Sequence, residues 1–428
     1  MSIDAGMRGL SLEQAPPLSI PMSFFLTAPV ALVVAGVVVA TSGPVTLATR
    51  WAPTAAAAVH LGTLGALAMV MLGALYQMLP VVAGAPVPAA RLAHAVHAAL
   101  VLGAGSLSYG LATGASWAFV AASALLLGAF AGFLGPAAVA ASRARVKLDT
   151  VPGMRLAIVA LLAVIGLGLE LALGRAGLHA VARPPSRLLA HVGLGLLGWV
   201  GGLIVPVSWQ VVPMFYLTAP YPRWSRLLSL GASAITTLAV LVALFAGAEP
   251  IVLALALTPA AVSVWLVHPV VTASLLLRRR RRRVGESVRF WLAALAVAPI
   301  TFAAGAAGFF LDDPRFVVLF GWLALVGWST VIVHGMLTRI VPFLVWFHRY
   351  SRSADLATAP SMRELLPDRR ARVGLALHLA TVVVGAVAIL TGAGPVVVLA
   401  GALLAATGTS MLLSFVLALR PRAPSAAV

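Results

Sequence analysis

The chain has 428 residues, 61% of them hydrophobic and only 9% charged, with a mean hydropathy of +1.05. An average soluble domain carries about 25% charged residues, so a water-soluble fold is excluded. The formal net charge is +18, but 28 of the 29 basic residues are Arg gathered in short stretches between apolar runs, which is a topology signal and not a nucleic-acid footprint.

With no water in hydrocarbon, every backbone polar group of a spanning segment needs an internal partner, so only helices or closed barrels cross. The apolar runs here are about 20 residues or longer and not ten-residue alternations, which selects helices and an all-α polytopic fold. The first twenty residues, MSIDAGMRGLSLEQAPPLSI, lack the basic-then-apolar pattern and A-x-A site of a signal peptide. Residues 1–21 are therefore expected to form a cytoplasmic tail. In chain order, twelve spans are expected at 22–42, 54–82, 90–112, 117–140, 154–174, 186–214, 226–247, 250–277, 287–311, 316–347, 373–392 and 395–419. They make one transmembrane domain over 22–419, followed by a second tail at 420–428.

Stretches after even-numbered spans carry Arg91; Arg143, Arg145 and Lys147; Arg223 and Arg226; the run Arg278 to Arg283; and Arg349, Arg352, Arg363, Arg369, Arg370 and Arg372. Glu249, Asp312 and Asp313 fall on the other side. The positive-inside rule then puts both tails in the cytoplasm and the protein in the cell membrane. Only the connection with Arg175, Arg183 and Arg187 dissents. The six-Arg run reads as a topogenic anchor or as a site for anionic lipid or a partner, at about 1 kcal/mol per residue. The stretch 349–372 is the longest polar one and contains no folded domain.

A repeat runs through the chain. Span 2 contains Gly65, Gln77 and Pro80; span 6 contains Gly198, Gln210 and Pro213; span 10 contains Gly327, Arg339 and Pro342. All three read G-x11-[QR]-x2-P. The chain thus divides into three four-helix units, about 22–150, 151–283 and 284–419, with the marked helix second in each.

The local text is HLGTLGALAMVMLGALYQMLPVVAG in span 2, AHVGLGLLGWVGGLIVPVSWQVVPMF in span 6 and HGMLTRIVPFLVWFHRYS in span 10. With the threefold arrangement, it resembles the heme-copper oxidase subunit I superfamily, including its divergent NnrS-like members. The resemblance implies three four-helix arcs with each arc's second helix lining a pore, and covers essentially the whole chain. It also implies a low-spin haem b ligated by a His one-third of the way down span 2, the position of His60, and a copper ligand on span 6, approximated by His191. Span 7 has no His-His pair and outer span 10 no His-x-His, so the oxygen-reducing haem-copper pair is not expected.

Without Cys, the chain can form no disulfide, thiolate metal site or iron–sulfur cluster, which leaves neutral imidazole as the ligand best suited to iron or copper. By helix rise, His60 lies roughly 30 Å before Pro80 and His191 roughly 33 Å before Pro213. Both sit near the outer face. His191 precedes Gly198 by seven residues and His60 precedes Gly65 by five, so their phases on the two helices differ. They ligate a haem between them or hydrogen-bond between packed helices. The inner half holds His94, His97, His268 and His334, with His348 and His378 at the membrane edge. His94 and His97 share a helix face; the inner group reads as interior hydrogen bonding, a metal site or a proton path.

Glu170 and Arg339 lie within spans, where an unpaired charge costs several kcal/mol, so each needs a partner or water. Glu170, Arg339, Gln77 and Gln210 are the candidate pore-lining polar groups. The glycine-rich faces (Gly62, Gly65, Gly193, Gly195, Gly198, Gly201, Gly202) permit close helix approach or close approach to a porphyrin. Three functions follow: a haem-binding protein in electron transfer, haem or copper handling or nitric oxide response; a solute or ion transporter; or a structural subunit without cofactor. The expected partners are the lipid bilayer and a redox partner or other membrane subunit, with no nucleic acid.

Overall fold

The computed structural model describes residues 14–84, 86–143, 150–280, 285–351 and 359–421. Most of the expected N-terminal tail, Arg145, Lys147, Arg281, Arg282, Arg283, Arg352 and residues 422–428 lie outside the described residues. Among the described residues there is no strand and there are twelve helices long and apolar enough to cross a membrane. The chain is an all-α, multi-pass membrane protein. The spans are α1 (Ser19–Ser42), α2 (Pro53–Val81), α3 (Ala90–Thr113), α4 (Ser116–Ser142), α5 (Thr150–Arg175), α6 (Pro184–Tyr216), α7 (Arg223–Phe245), α8 (Pro250–Leu277), α9 (Ser287–Phe310), α10 (Pro314–Tyr350), α11 (Asp368–Thr391) and α12 (Gly394–Ala418).

Most ends fall within a few residues of those expected from hydropathy. The segment between α10 and α11 differs. Because α11 starts at Asp368, Arg369, Arg370 and Arg372 stand on its first turns and not in a loop. The remaining connection holds a single helical turn, Met362–Leu365, closed by a capping box in which Ser361 Oγ accepts from the Glu364 N–H and the Glu364 carboxylate accepts from the Ser361 N–H. Proline, whose fixed φ and missing N–H suit a first helical turn, opens α2, α6, α8, α10 and α12.

In α2, α6 and α10 the α-helix widens to a π-helix over Leu61–Ala68, Leu194–Gly201 and Leu323–Ser329. Each begins nineteen residues before Pro80, Pro213 or Pro342 and contains the motif glycine. The π segment of α10 lies against those of α2 and α6, so the three marked helices converge. A shorter π segment, Ser263–Val267, interrupts α8.

The motif glycines meet equivalent neighbours. A Cβ on Gly65 would stand 2.7 Å from Ala31 Cβ of α1, on Gly198 2.7 Å from Ala160 Cβ of α5, and on Gly327 2.9 Å from Val297 Cγ1 of α9. Each marked helix therefore packs tightly on the first helix of its own unit. Eight residues further along, Gly73 makes room for Phe24 and Gly335 for Phe290. In the middle unit the roles reverse, and Gly153 of α5 makes room for Pro206 of α6. Phe24, Gly153 and Phe290 precede Ala31, Ala160 and Val297 by the same seven residues. One contact is thus built three times, with the knob on either helix.

Around this centre the third and fourth helices pair as α3–α4, α7–α8 and α11–α12, and the fourth helix of each unit packs on the first of the next. The ring closes where α12 meets α1. There, side chains on Gly36 and Gly401 would each come within 2.6 Å of the other's carbonyl oxygen, a backbone approach only glycine allows. Large apolar side chains such as Phe245, Val270, Leu277 and Phe310 are exposed on the outer surface, as lipid-facing positions require.

Gly198→Leu, which drives a side chain into Ala160, should destabilise the protein by about 1–3 kcal/mol or more. Gly128→Leu on α4, where a Cβ would meet nothing within 4 Å, should leave stability nearly unchanged. Thermal unfolding of both variants in detergent checks the pair.

Candidate functional site

His60 and His191 each stand seven residues beyond the proline that opens their helix, Pro53 or Pro184, and so at the same depth. Their rings are nearly parallel, 21° apart in plane, with centroids separated by 6.4 Å. His60 Nδ1 donates to Ala56 O at 2.8 Å and His191 Nδ1 donates to Val164 O of α5 at 3.1 Å. A carbonyl can only accept, so both neutral rings carry the proton on Nδ1 and leave Nε2 as a bare lone pair. Neither Nε2 has a hydrogen-bond partner among the described residues.

The difference in phase relative to the motif glycines does not keep the two rings apart. Gly65 and Gly198 are phased toward α1 and α5, and on rotation-related helices equal phases would give rotation-related rings instead of facing ones. The third unit contributes no imidazole here. Its equivalent position, seven residues beyond Pro314, is Gly321, where a Cβ would meet nothing within 4 Å.

Gly168 of α5 supports the His191 ring, since a Cβ there would come 3.1 Å from His191 Cε1. The backbone faces open space at Gly62 and Gly166, with nothing within 4 Å of an added Cβ, whereas Gly65, Gly193, Gly198, Gly201 and Gly202 serve close packing.

Glu170 has the partner that burial demands. Its carboxylate lies 3.3 Å from Arg187 Nε, with both side chains under a third exposed, and Arg187 is one turn before His191. Glu170 thus stands at the α5–α6 contact. Arg183 pairs with Glu249 at 3.2 Å, so two of the three arginines that dissented from the positive-inside pattern are neutralised locally. Nearby Asp313 pairs with Arg315 at 2.7 Å, whose hydrogen bonds hold the Asp313 carboxyl below its ordinary range.

The four inner histidines occupy three separate interfaces and are not brought together. His97 bonds Thr27 at 2.8 Å and sits edge-on to Phe24, while His94 reaches only to Ser19 at 3.5 Å; both face α1. His268 of α8 bonds Ser208 of α6 at 3.0 Å and lies parallel to Tyr221, 6.3 Å away. Tyr221, in the connection before α7, bonds Thr272 at 2.9 Å, and burial pushes its hydroxyl up to about 12. His334 of α10 faces His378 of α11 with Nδ1 atoms 3.1 Å apart.

His378 is not at the membrane edge, because α11 begins at Asp368 and carries it ten residues inward, where it is fully buried. Its Nε2 donates to Val326 O in the π segment of α10 at 3.1 Å, so in the neutral pair its Nδ1 accepts from His334 Nδ1–H. Hydropathy gave no sign of this pairing; His378 on an otherwise apolar helix was the only trace. Among the described residues no group of three or more His, Cys, Asp or Glu is arranged to hold a metal.

Of the remaining polar positions, Gln77 Oε1 is buried without a partner, and Gln210 occupies the equivalent place on α6. Arg339 lines a recess with Glu286, Ser287, Thr338, Arg363 and Asp368; its Nε is buried, while the residue as a whole is half-buried. No protein-family model and no curated protein matches this sequence.

Arg187→Met should leave Glu170 half-buried without its cation and cost about 1–2 kcal/mol after allowance for exposure. Adding Glu170→Gln should recover most of that loss. Unfolding midpoints of the single and double variants supply the check.

Proposed function

We propose that this protein is a haem-binding, oxidase-subunit-I-like protein of the cell membrane that carries electrons, with His60 and His191 as the residues that would hold a b-type haem. The observation that carries the reading is the imidazole pair. The two ring centres stand 6.4 Å apart, and two imidazole nitrogens free of other partners would suit iron. The donor set fits too. Both Nδ1–H groups are held by carbonyls, which orients each ring, selects the tautomer and makes Nε2 the better ligand.

A bis-imidazole haem supplies reversible one-electron transfer. The chain's own contribution is to fix both imidazoles, His60 through its own helix and His191 through α5, with Gly168 against its ring. The paired Glu170 and Arg187 keep a neutralised charge beside the site. Electrons would pass to or from a redox partner or another membrane subunit, in respiration, haem handling or nitric oxide response. The Arg-rich connections support an orientation with both termini in the cytoplasm and the histidine pair toward the outer face.

Protein purified from a haem-replete host should show a low-spin Soret band. His60→Ala should abolish it, His191→Ala and Gly168→Leu should weaken or shift it, and His334→Ala should leave it intact. Absence of Soret absorbance from well-folded wild-type protein would sink the haem reading. Reporter fusions after Arg283 and at the C-terminus should both read cytoplasmic, and a periplasmic signal at either site would overturn the orientation.

A further inference from the structure

At the opposite end of the central helices, Arg339 occupies the place held by Gln77 and Gln210 in the other two units. Its guanidinium points into the recess formed by the starts of α9 and α11 and the turn Met362–Leu365. The acids of that recess have other arginines as ion-pair neighbours, although Glu286 Oε2 accepts no hydrogen bond. Glu286 lies 3.1 Å from Arg289 and 3.6 Å from Arg372, and Asp368 lies 3.6 Å from Arg363. Arg339 forms no ion pair or hydrogen bond among the described residues, and its Nε is buried.

The adjoining Ser287 hydroxyl, beside Tyr216, is also buried without a hydrogen bond of ordinary geometry. Gly285, at φ +42°, lines the same recess, and a side chain there would sit 3.5 Å from Arg339 Nη1. The Arg339 and Ser287 donors therefore share a small space with two carboxylates that pair more closely with other arginines, Asp368 Oδ1 standing 3.9 Å from the same added Cβ at Gly285. A cation in such a place is costly unless an anion meets it.

We propose that this recess is an oxyanion-binding site, with Arg339 as the fork and Ser287 as a second donor. The planar guanidinium matches the paired oxygens of a phosphate group, whether carried by a free anion or by a lipid headgroup. The site stands independently of the histidine pair at the other face.

The test uses the full chain in neutral detergent and follows the unfolding midpoint. One arm titrates inorganic phosphate against chloride at matched ionic strength, and the other adds phosphatidylglycerol against phosphatidylcholine. Wild-type protein should be stabilised by phosphate, which identifies a free anion, or by phosphatidylglycerol alone, which identifies a lipid. Arg339→Gln inserts the residue the other two units carry, and should raise the half-effect concentration about tenfold or more. Ser287→Ala should weaken the response less, and Arg91→Gln, on another unit, should respond like wild type. The proposal fails if wild-type protein responds no more to either phosphate source than to its control, a result that needs no variant to fold. It fails equally if folded Arg339→Gln responds as wild type does.

Discussion

Hydrocarbon exerts no hydrophobic pull between helices, so a membrane bundle is held by how closely its backbones approach. In this protein that approach is made by a contact built three times, between the first and second helices of each unit. Gly65, Gly198 and Gly327 set it on one turn, and the Phe24–Gly73, Gly153–Pro206 and Phe290–Gly335 pairs set it two turns away. The reversal in the middle unit shows that complementary shape is what is kept, since either helix can carry the bulk. Because the contact fixes each marked helix along its partner, α2, α6 and α10 arrive at the centre in common register.

The π-helices follow from the same place. An added residue per turn widens the helix and offsets its hydrogen bonds, and such segments concentrate where carbonyls are put to other uses. Val326 O is one of these, receiving His378 Nε2 from α11. In α2 and α6 the π segments begin just past His60 and His191, so the helix above them stays regular. Regular helix is what allows Ala56 O to hold the His60 ring.

Ionisable groups inside the bundle are mostly matched: Glu170 with Arg187, His334 with His378, His268 with Ser208. Several buried polar atoms nonetheless lack a hydrogen-bond partner, and three unpartnered groups carry the proposals. The Nε2 atoms of His60 and His191 sit near one face, and the Arg339 guanidinium sits near the other. Such groups are expensive to keep in a membrane without a partner, which is the physical ground for proposing ligands at both places.

Much of this was legible from the chain alone. Hydropathy, through the demand that lipid makes on backbone polar groups, determined the all-α class and located twelve spans. Period and proline spacing gave the three marked helices, and helix rise gave the common depth of His60 and His191. All of these are properties of single segments or distances along the chain. What tertiary structure decided were relations between segments far apart in sequence. That His60 faces His191, that His334 meets His378 and not His94, His97 or His268, and that Glu170 meets Arg187 all depend on rotation about helix axes. Glycine contacts and π segments set those rotations, and a hydropathy profile averages over them. The same holds for Arg339, whose lack of an ion pair became visible only once Glu286 and Asp368 were seen closer to other arginines.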